Sequence, residues 1–355
     1  MEIGGFFPYE PNQETENNYI KRMCPAATDV RHLMSGRCAI YYCLQDSLLT
    51  DKKKVAYLPS YDCETVLSCF TKSGYEIIYY DIDETLTPVF DESLLDKISI
   101  ILITPYYGYT TYSMDFVKKC REKGIIIIED TTHSAFSPVG FCKEADYVAV
   151  SLRKWMGVIS GGLALKCGGK FTLPLLPSDE VHLKIRDNAL ANRKEYEATG
   201  DETLNKTGQD SFWEAEFMLR KIFDMQAGDD VSYETILYYP LDNAIEKRRE
   251  NFKYLLENLP ENPNIKPIFT ELPDDVCPMF FPFYVENRKD VMEHLYANAI
   301  PPKVYWPVPP MVDVSQFPGS NYIYDHVMSI SCDQRFDLED MKKIIEVFAK
   351  LVNLG

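Results

Sequence analysis

Between residues 36 and 167 the apolar positions alternate between two periods. GRCAIYYCLQDSLL (36–49), CETVLSCFTKSG (63–74) and MDFVKKCREKG (114–124) have helical spacing. VAYLP (55–59), EIIYYDID (76–83), SIILITPYYG (99–108), IIIIED (125–130), YVAVS (147–151) and GGLALKC (161–167) read as strands. Strands separated by helices of this length predict an α/β layer with a largely parallel sheet flanked by helices. Such sheets carry their chemistry beyond the carboxyl ends of the strands. Residues 176–230 are charge-rich and read as helix, loop and helix, and NAIEKRRENFKYLLENL (243–259) as a long amphipathic helix. MFFPFYV, KDVMEHLYANAI, HVMSISC and LEDMKKIIEVFAKLV then give strand, helix, strand and helix. The organisation expected is an N-terminal segment (1–30), a large domain (31–242) and a small C-terminal α+β domain (243–355), without internal repeats.

Composition removes several function classes. Hydrophobic residues make up 46% of the 355 and charged residues 26%, enough to build a sizeable core. The formal charge is −17 and no Lys/Arg-rich run offsets it, which argues against nucleic acid as a partner. Ten cysteines lie scattered from Cys24 to Cys332 without metal-ligand pairs and read as reduced thiols. No stretch approaches ~18 uncharged apolar residues, and the N-terminus lacks a basic start with an apolar core, so a cytoplasmic protein without membrane contact is expected.

IIIIED asks why an apolar strand should run into Glu129 and Asp130, with His133 three residues further on. If the isoleucines are a buried strand, Asp130 emerges at its carboxyl end, and YVAVS delivers Ser151 and Lys154 to the same edge. Upstream, Ser35 and Gly36 open a helix whose free N–H groups favour an anion, with Arg37 adding charge. An anion cradle, a buried carboxylate and a lysine beside a serine meet the needs of one cofactor. Pyridoxal 5′-phosphate requires a seat for its phosphate, an acid facing its ring nitrogen and a lysine that forms a Schiff base. Singly, each feature has an ordinary reading as a surface charge, a turn cap or a helix start; their order gives them weight.

That order, SGRCAI, LPSYDCETV, PYYG, EDTTHS and SLRKWMGVISGG, resembles the fold-type I pyridoxal-phosphate enzymes. Within them it is most similar to the DegT/DnrJ/EryC1/StrS (sugar) aminotransferases. The resemblance implies a large PLP-binding domain with a mostly parallel mixed sheet and a small α+β domain. It makes Lys154 the cofactor-bearing lysine and proton shuttle, Asp130 the partner of the ring nitrogen, and His133 a hydrogen-bond donor to the ring's phenolic oxygen. Gly36 and Arg37 fall at the phosphate loop with Ser35 before them, and Ser151 is a candidate hydroxyl for the same phosphate. Cys63 stands where the family often has the aromatic that stacks on the ring, leaving Tyr61 and Tyr107 as the alternatives. Ser151 stands three residues before the lysine rather than five. The family's glycine-asparagine-tyrosine-arginine stretch, which reaches the partner subunit's phosphate, is not visible; DVSYETILYY (230–239), with Ser232, occupies its place. VYWPVPPMV (304–312) reads as a stiff loop at the substrate entrance. The activity implied moves an amino group from an amino acid, glutamate or glutamine, to a keto sugar, in a homodimer with shared active sites. Lyase or dehydratase chemistry on the same cofactor, or a non-catalytic binding role, are the alternatives.

Overall fold

The computed structural model describes residues 2–137 and 141–351. Eight strands form one sheet: β1 (Asp29–Leu33), β2 (Val55–Pro59), β3 (Glu76–Ile82), β4 (Pro88–Val89), β5 (Ile100–Ile103), β6 (Ile126–Asp130), β7 (Tyr147–Ser151) and β8 (Gly162–Lys166). Their spatial order is β1-β8-β7-β6-β5-β2-β3-β4. The five neighbours from β7 to β3 run parallel, whereas β8 pairs antiparallel with both β7 and β1. The sheet is therefore mixed and mostly parallel, as the alternating periods predict. Strands β5 and β7 are buried along their whole length, the pattern of a sheet covered on both faces.

Helices α1 (Tyr19–Met23), α2 (Gly36–Ser47), α3 (Glu64–Lys72) and α4 (Met114–Glu122) precede or interleave with these strands. Two apolar clusters pack on the sheet. One joins α2 and α3 to residues such as Leu58, Leu102 and Ile128; the other joins α4 to Ile101, Ile127 and Val148. Helices α5 (Glu180–Thr199) and α6 (Glu202–Ile222) form a long hairpin. Gly200, in the left-handed region at φ 74°, ends α5, and Asp201 caps α6 through Thr203 N. The loop expected between them is thus one tight turn.

Helix α7 (Asp230–Tyr238) and helix α8 (Leu241–Asn258) lead to a second sheet of β9 (Ile265–Pro267), β10 (Phe281–Val285) and β11 (Val327–Ile330), ordered β11-β10-β9. Helices α9 (Arg288–Ala297), α10 (Pro318–His326) and α11 (Leu338–Leu351) complete this part. Phe252, Phe283, Met341 and Phe348 lie at its apolar centre. All ten cysteines are free. Among the described residues no helix is long and apolar enough to cross a membrane, and no cluster of His, Cys, Asp and Glu is placed to hold a metal.

Candidate active site

Strands β5, β6 and β7 run side by side in one direction, so their last residues share an edge. There Thr104, Asp130, Ser151 and Lys154 line a cavity of about 420 Å³. Its size suits a small-molecule site. Lys154 closes the tight turn Leu152–Lys154 that follows β7 at once. Its Nζ lies 5.3 Å from the centre of the Tyr305 ring and 5.9 Å from that of Trp306. Burial lowers its pKa, against the opposing pull of Asp130 and other acidic neighbours, which favours the free amine.

Asp130 ends β6, and its Oδ1 accepts a 2.9 Å hydrogen bond from Thr132 N. Burial raises its pKa, tempered by Thr132 and the Lys154 charge. Glu129, one residue earlier, points to the other face of the strand. Tyr112 Oη and Cys142 N each donate to it at 2.6 Å, and burial pushes it up to about 8. The two carboxylates that looked like a pair in IIIIED are therefore split by the pleat.

His133 lines the cavity with both ring nitrogens buried and without a partner among the described residues. Burial and then the Lys154 charge hold it well below the usual histidine range, so it is neutral at pH 7. Trp306 stacks on it at 5.1 Å and 16°, and Tyr107 meets it at 5.5 Å. Both flanking residues are in the left-handed region, Tyr107 at φ 54° and Trp306 at φ 64°. For bulky side chains this costs on the order of 1–3 kcal/mol each, and such strain concentrates at functional sites.

The amino end of α2 faces the same cavity through Ser35, Gly36 and Arg37. Ser35 Oγ caps the helix at Cys38 N, 3.2 Å away. Gly36 lies so close to β7 that an added Cβ would stand 2.6 Å from Ser151 Cβ. Arg37 Nη1 donates to the carbonyl of Leu219, which also lines the cavity.

The structure thus brings Lys154, Asp130, His133, Ser35, Gly36, Arg37, Ser151 and Cys63 to one cavity wall. Tyr61 and Tyr107, the sequence candidates for the ring stack, are fully buried and do not line the cavity. Tyr61 Oη instead donates to the carbonyl of Tyr305 at 3.4 Å, beside Trp306. DVSYETILYY is helix α7, and Ser232 Oγ accepts from Ile159 N and Ser160 N of its own chain at 3.0 and 3.1 Å.

The proline-rich loop expected at the substrate entrance does line the cavity, through Val304–Pro307, with Tyr305 and Trp306 its aromatic members. Other residues at or near the cavity escaped the sequence reading. Arg186 and Glu216 come from the α5/α6 hairpin, where nothing local marks them. Asp62 is fully buried behind Asp130, with Oδ2 unpartnered; burial and then Asp130 raise its pKa well above the carboxylate range. An Asp beside a helix start reads simply as a cap.

These groups fit the cofactor that the sequence suggested. A planar ring bearing a phosphate would find the α2 terminus, a buried acid, an unpartnered neutral imidazole and an amine of lowered pKa around one space. Comparison with known proteins agrees. Residues 238–349 match the DegT/DnrJ/EryC1/StrS aminotransferase family. Structures similar to the whole chain include the Helicobacter pylori aminotransferase PseC, involved in the biosynthesis of pseudoaminic acid (12% identity, TM-score 0.67, 100% of both chains). The sugar aminotransferase CalS13 from Micromonospora echinospora (15%, 0.60, 97% of this chain and 92% of that one) is another. So is Spr1654 from Streptococcus pneumoniae in its PLP form (14%, 0.63, 99% and 93%). No curated protein matches the sequence. At these identities the structural likeness shows the fold alone, and the DegT/DnrJ/EryC1/StrS match covers the α8-to-α11 part of the chain.

Proposed function

We propose that the chain is a pyridoxal-phosphate-dependent aminotransferase that moves an amino group from an amino acid, glutamate or glutamine, to a keto sugar, nucleotide-linked in the fullest form of the reading. The observation that carries it is the delivery of Asp130 and Lys154, by adjacent parallel strands, to one cavity beside the α2 terminus. When bound, pyridoxal phosphate supplies the electron sink for breaking the donor's Cα–H bond.

The roles of the side chains follow from their surroundings. Burial, which lowers the Lys154 pKa, favours the free amine that attacks a carbonyl carbon, and once released Nζ can take and return a proton. Asp130 in its carboxylate form would hold a proton on a ring nitrogen, since a positive partner offsets the burial that raises its pKa. Neutral His133, with both nitrogens free, can donate one hydrogen bond to a ring oxygen. Trp306, stacked on His133, closes the wall and excludes water. Arg37, Arg153, Arg186, Arg220 and Lys303 give the cavity five basic side chains besides the Lys154 amine, against Glu64, Asp130 and Glu216 in a chain of charge −17. Such a lining attracts anionic substrates.

We further infer a homodimer. Val181, Trp213, Phe217 and Val231, all more than half exposed, are large apolar side chains of the kind an interface covers. Light scattering that finds an active monomer at assay concentration would contradict this.

The test of the function is loading with pyridoxal phosphate, borohydride reduction and peptide mapping, with the label expected on Lys154. Release of one equivalent of keto acid from glutamate or glutamine by the loaded protein then separates an aminotransferase from a lyase or a binding protein. A label elsewhere, or no keto acid from any amino donor, refutes the proposal.

A further inference from the structure

The turns that carry Asp130 and Lys154 leave adjacent parallel strands, whose ladder ends at the pair of Asp130 and Ala149. Beyond that point Trp155, next to Lys154 and fully buried, spans the gap. Its indole Nε1 donates to the carbonyl of Thr132 at 2.8 Å. Thr132 N in turn donates to Asp130 Oδ1. One side chain thus ties the Lys154 turn to the turn that holds Asp130 and His133. A buried indole N–H needs an acceptor, and removing it would strip the Thr132 carbonyl of a donor.

The other side of Trp155 is held by the chain beyond β8. Its carbonyl accepts from Gln334 Nε2 at 2.7 Å and from Arg248 Nη2 at 3.5 Å. The Arg248 guanidinium lies 4.5 Å from the indole centre, and its Nε donates to Gln334 Oε1 at 2.6 Å. Gln334 Nε2 also meets Tyr239 Oη and Glu10 Oε1, at 2.6 and 3.2 Å. Glu10 Oε2 accepts from Gly157 N at 3.0 Å, so the backbone is gripped on both sides of Met156. These partners come from the N-terminal segment, from α8 and the residue pair before it, and from the turn after β11. A buried polar network with its members paired holds a single arrangement.

We propose that Trp155, clamped by Gln334 and Arg248, is a positioning residue that sets where the Lys154 amine stands relative to Asp130 and His133. Trp155 does not line the cavity, so it acts through its neighbour. The proposal rests on the aminotransferase reading for the use made of Lys154.

Two substitutions test it from opposite sides. Trp155→Phe keeps a ring and removes the N–H, and Gln334→Met keeps the length and removes the donor to the Trp155 carbonyl. The readout is the pH midpoint for acetylation of Lys154 by acetic anhydride in the unloaded full-length protein, followed by peptide mapping. Burial lowers the Lys154 pKa more than the Cys63 thiol, Asp130, Glu216 and Asp62 raise it. A loosened turn admits water and relieves that burial, so the midpoint should rise by about 0.5 unit or more in both variants. Phe283→Leu, in the apolar centre around β10, is the control, which should lower the thermal midpoint and leave the Lys154 midpoint in place. If neither variant raises the labelling midpoint beyond that of Phe283→Leu, Trp155 is core packing alone and the proposal falls. Should Trp155→Phe not fold, Gln334→Met decides by the same criterion. A wild-type protein that forms no pyridoxal phosphate adduct on Lys154 refutes the aminotransferase reading instead, and labelling of the unloaded protein still decides this one.

Discussion

Gly36→Ala offers a sharp probe of the contact between α2 and β7. The added methyl would lie 2.6 Å from Ser151 Cβ and 3.3 Å from Ser151 Cα and Oγ. Ser151 ends a fully buried strand and is itself 6% exposed, so it has no room to yield. Either the amino end of α2 lifts from the sheet or β7 shifts, at an overpacking cost of about 1–3 kcal/mol. Both movements separate the helix terminus from Ser151 and Lys154. If that cost appears in binding, affinity for pyridoxal phosphate falls roughly 5- to 150-fold, since about 1.4 kcal/mol is tenfold. The assay is equilibrium titration by absorbance, with the thermal midpoint measured in parallel. Gly168→Ala is the control, because nothing stands within 4 Å of its added Cβ. A Gly36→Ala protein that binds within threefold of wild type, with an unchanged midpoint, would refute the idea that this close approach shapes the seat.

Other substitutions test single roles. Asp130→Asn should retain the cofactor yet lose most transamination, because a neutral amide cannot hold a ring nitrogen protonated; activity within about threefold of wild type, ~0.7 kcal/mol of barrier, would contradict this. Lys154→Ala should abolish the borohydride-fixed label while leaving the thermal midpoint close to wild type. Trp306→Ala should weaken cofactor binding and shift its absorption maximum by opening the wall on His133, and an unchanged spectrum and affinity would remove Trp306 from the site. Glu129, raised to about 8 by burial, keeps its proton in the folded state well above the pH at which the unfolded chain loses it. Its contribution to stability is full below about pH 4.5 and falls as pH rises toward 8, with a slope of at most ~1.4 kcal/mol per unit. Denaturant titrations from pH 5 to 8 should show that decline, and Glu129→Gln should flatten it.

What was legible in the sequence lay next to strong local signals. Asp130 and Lys154 each follow a run of buried strand residues within three positions, so locating the strand locates the side chain. Gly36 could be read because Ser35 and the helical period after it mark a helix start. Strand β1 could not: DVRHL has one fully buried residue in five, and its charges suit the end of the sheet order, where β8 pairs one side and a single bridge, Leu33 to Ala227, touches the other. Arg186 and Glu216 reach the cavity from a hairpin that tertiary packing brings to the sheet edge, and no local period encodes that approach. The helical reading of 176–230 was sound, but a charged helix face gives no indication of which arginines will be buried.

Glu129 and Asp130 mark the boundary between a signal that was absent and one that was present but unused. The period of a strand is two, so consecutive residues must face opposite sides of the sheet. Given IIIIED as a strand, only one of its carboxylates can enter the cavity. The other must find donors in the opposite layer, and Tyr112 and Cys142 N supply them. The terminal position of Asp130 made it the better choice for the cavity. That choice implies a second, buried structural acid on the far face, which must be hydrogen-bonded or protonated to be tolerated. Glu129 is both hydrogen-bonded and raised in pKa, so its environment follows from the same alternation that gives Asp130 its place.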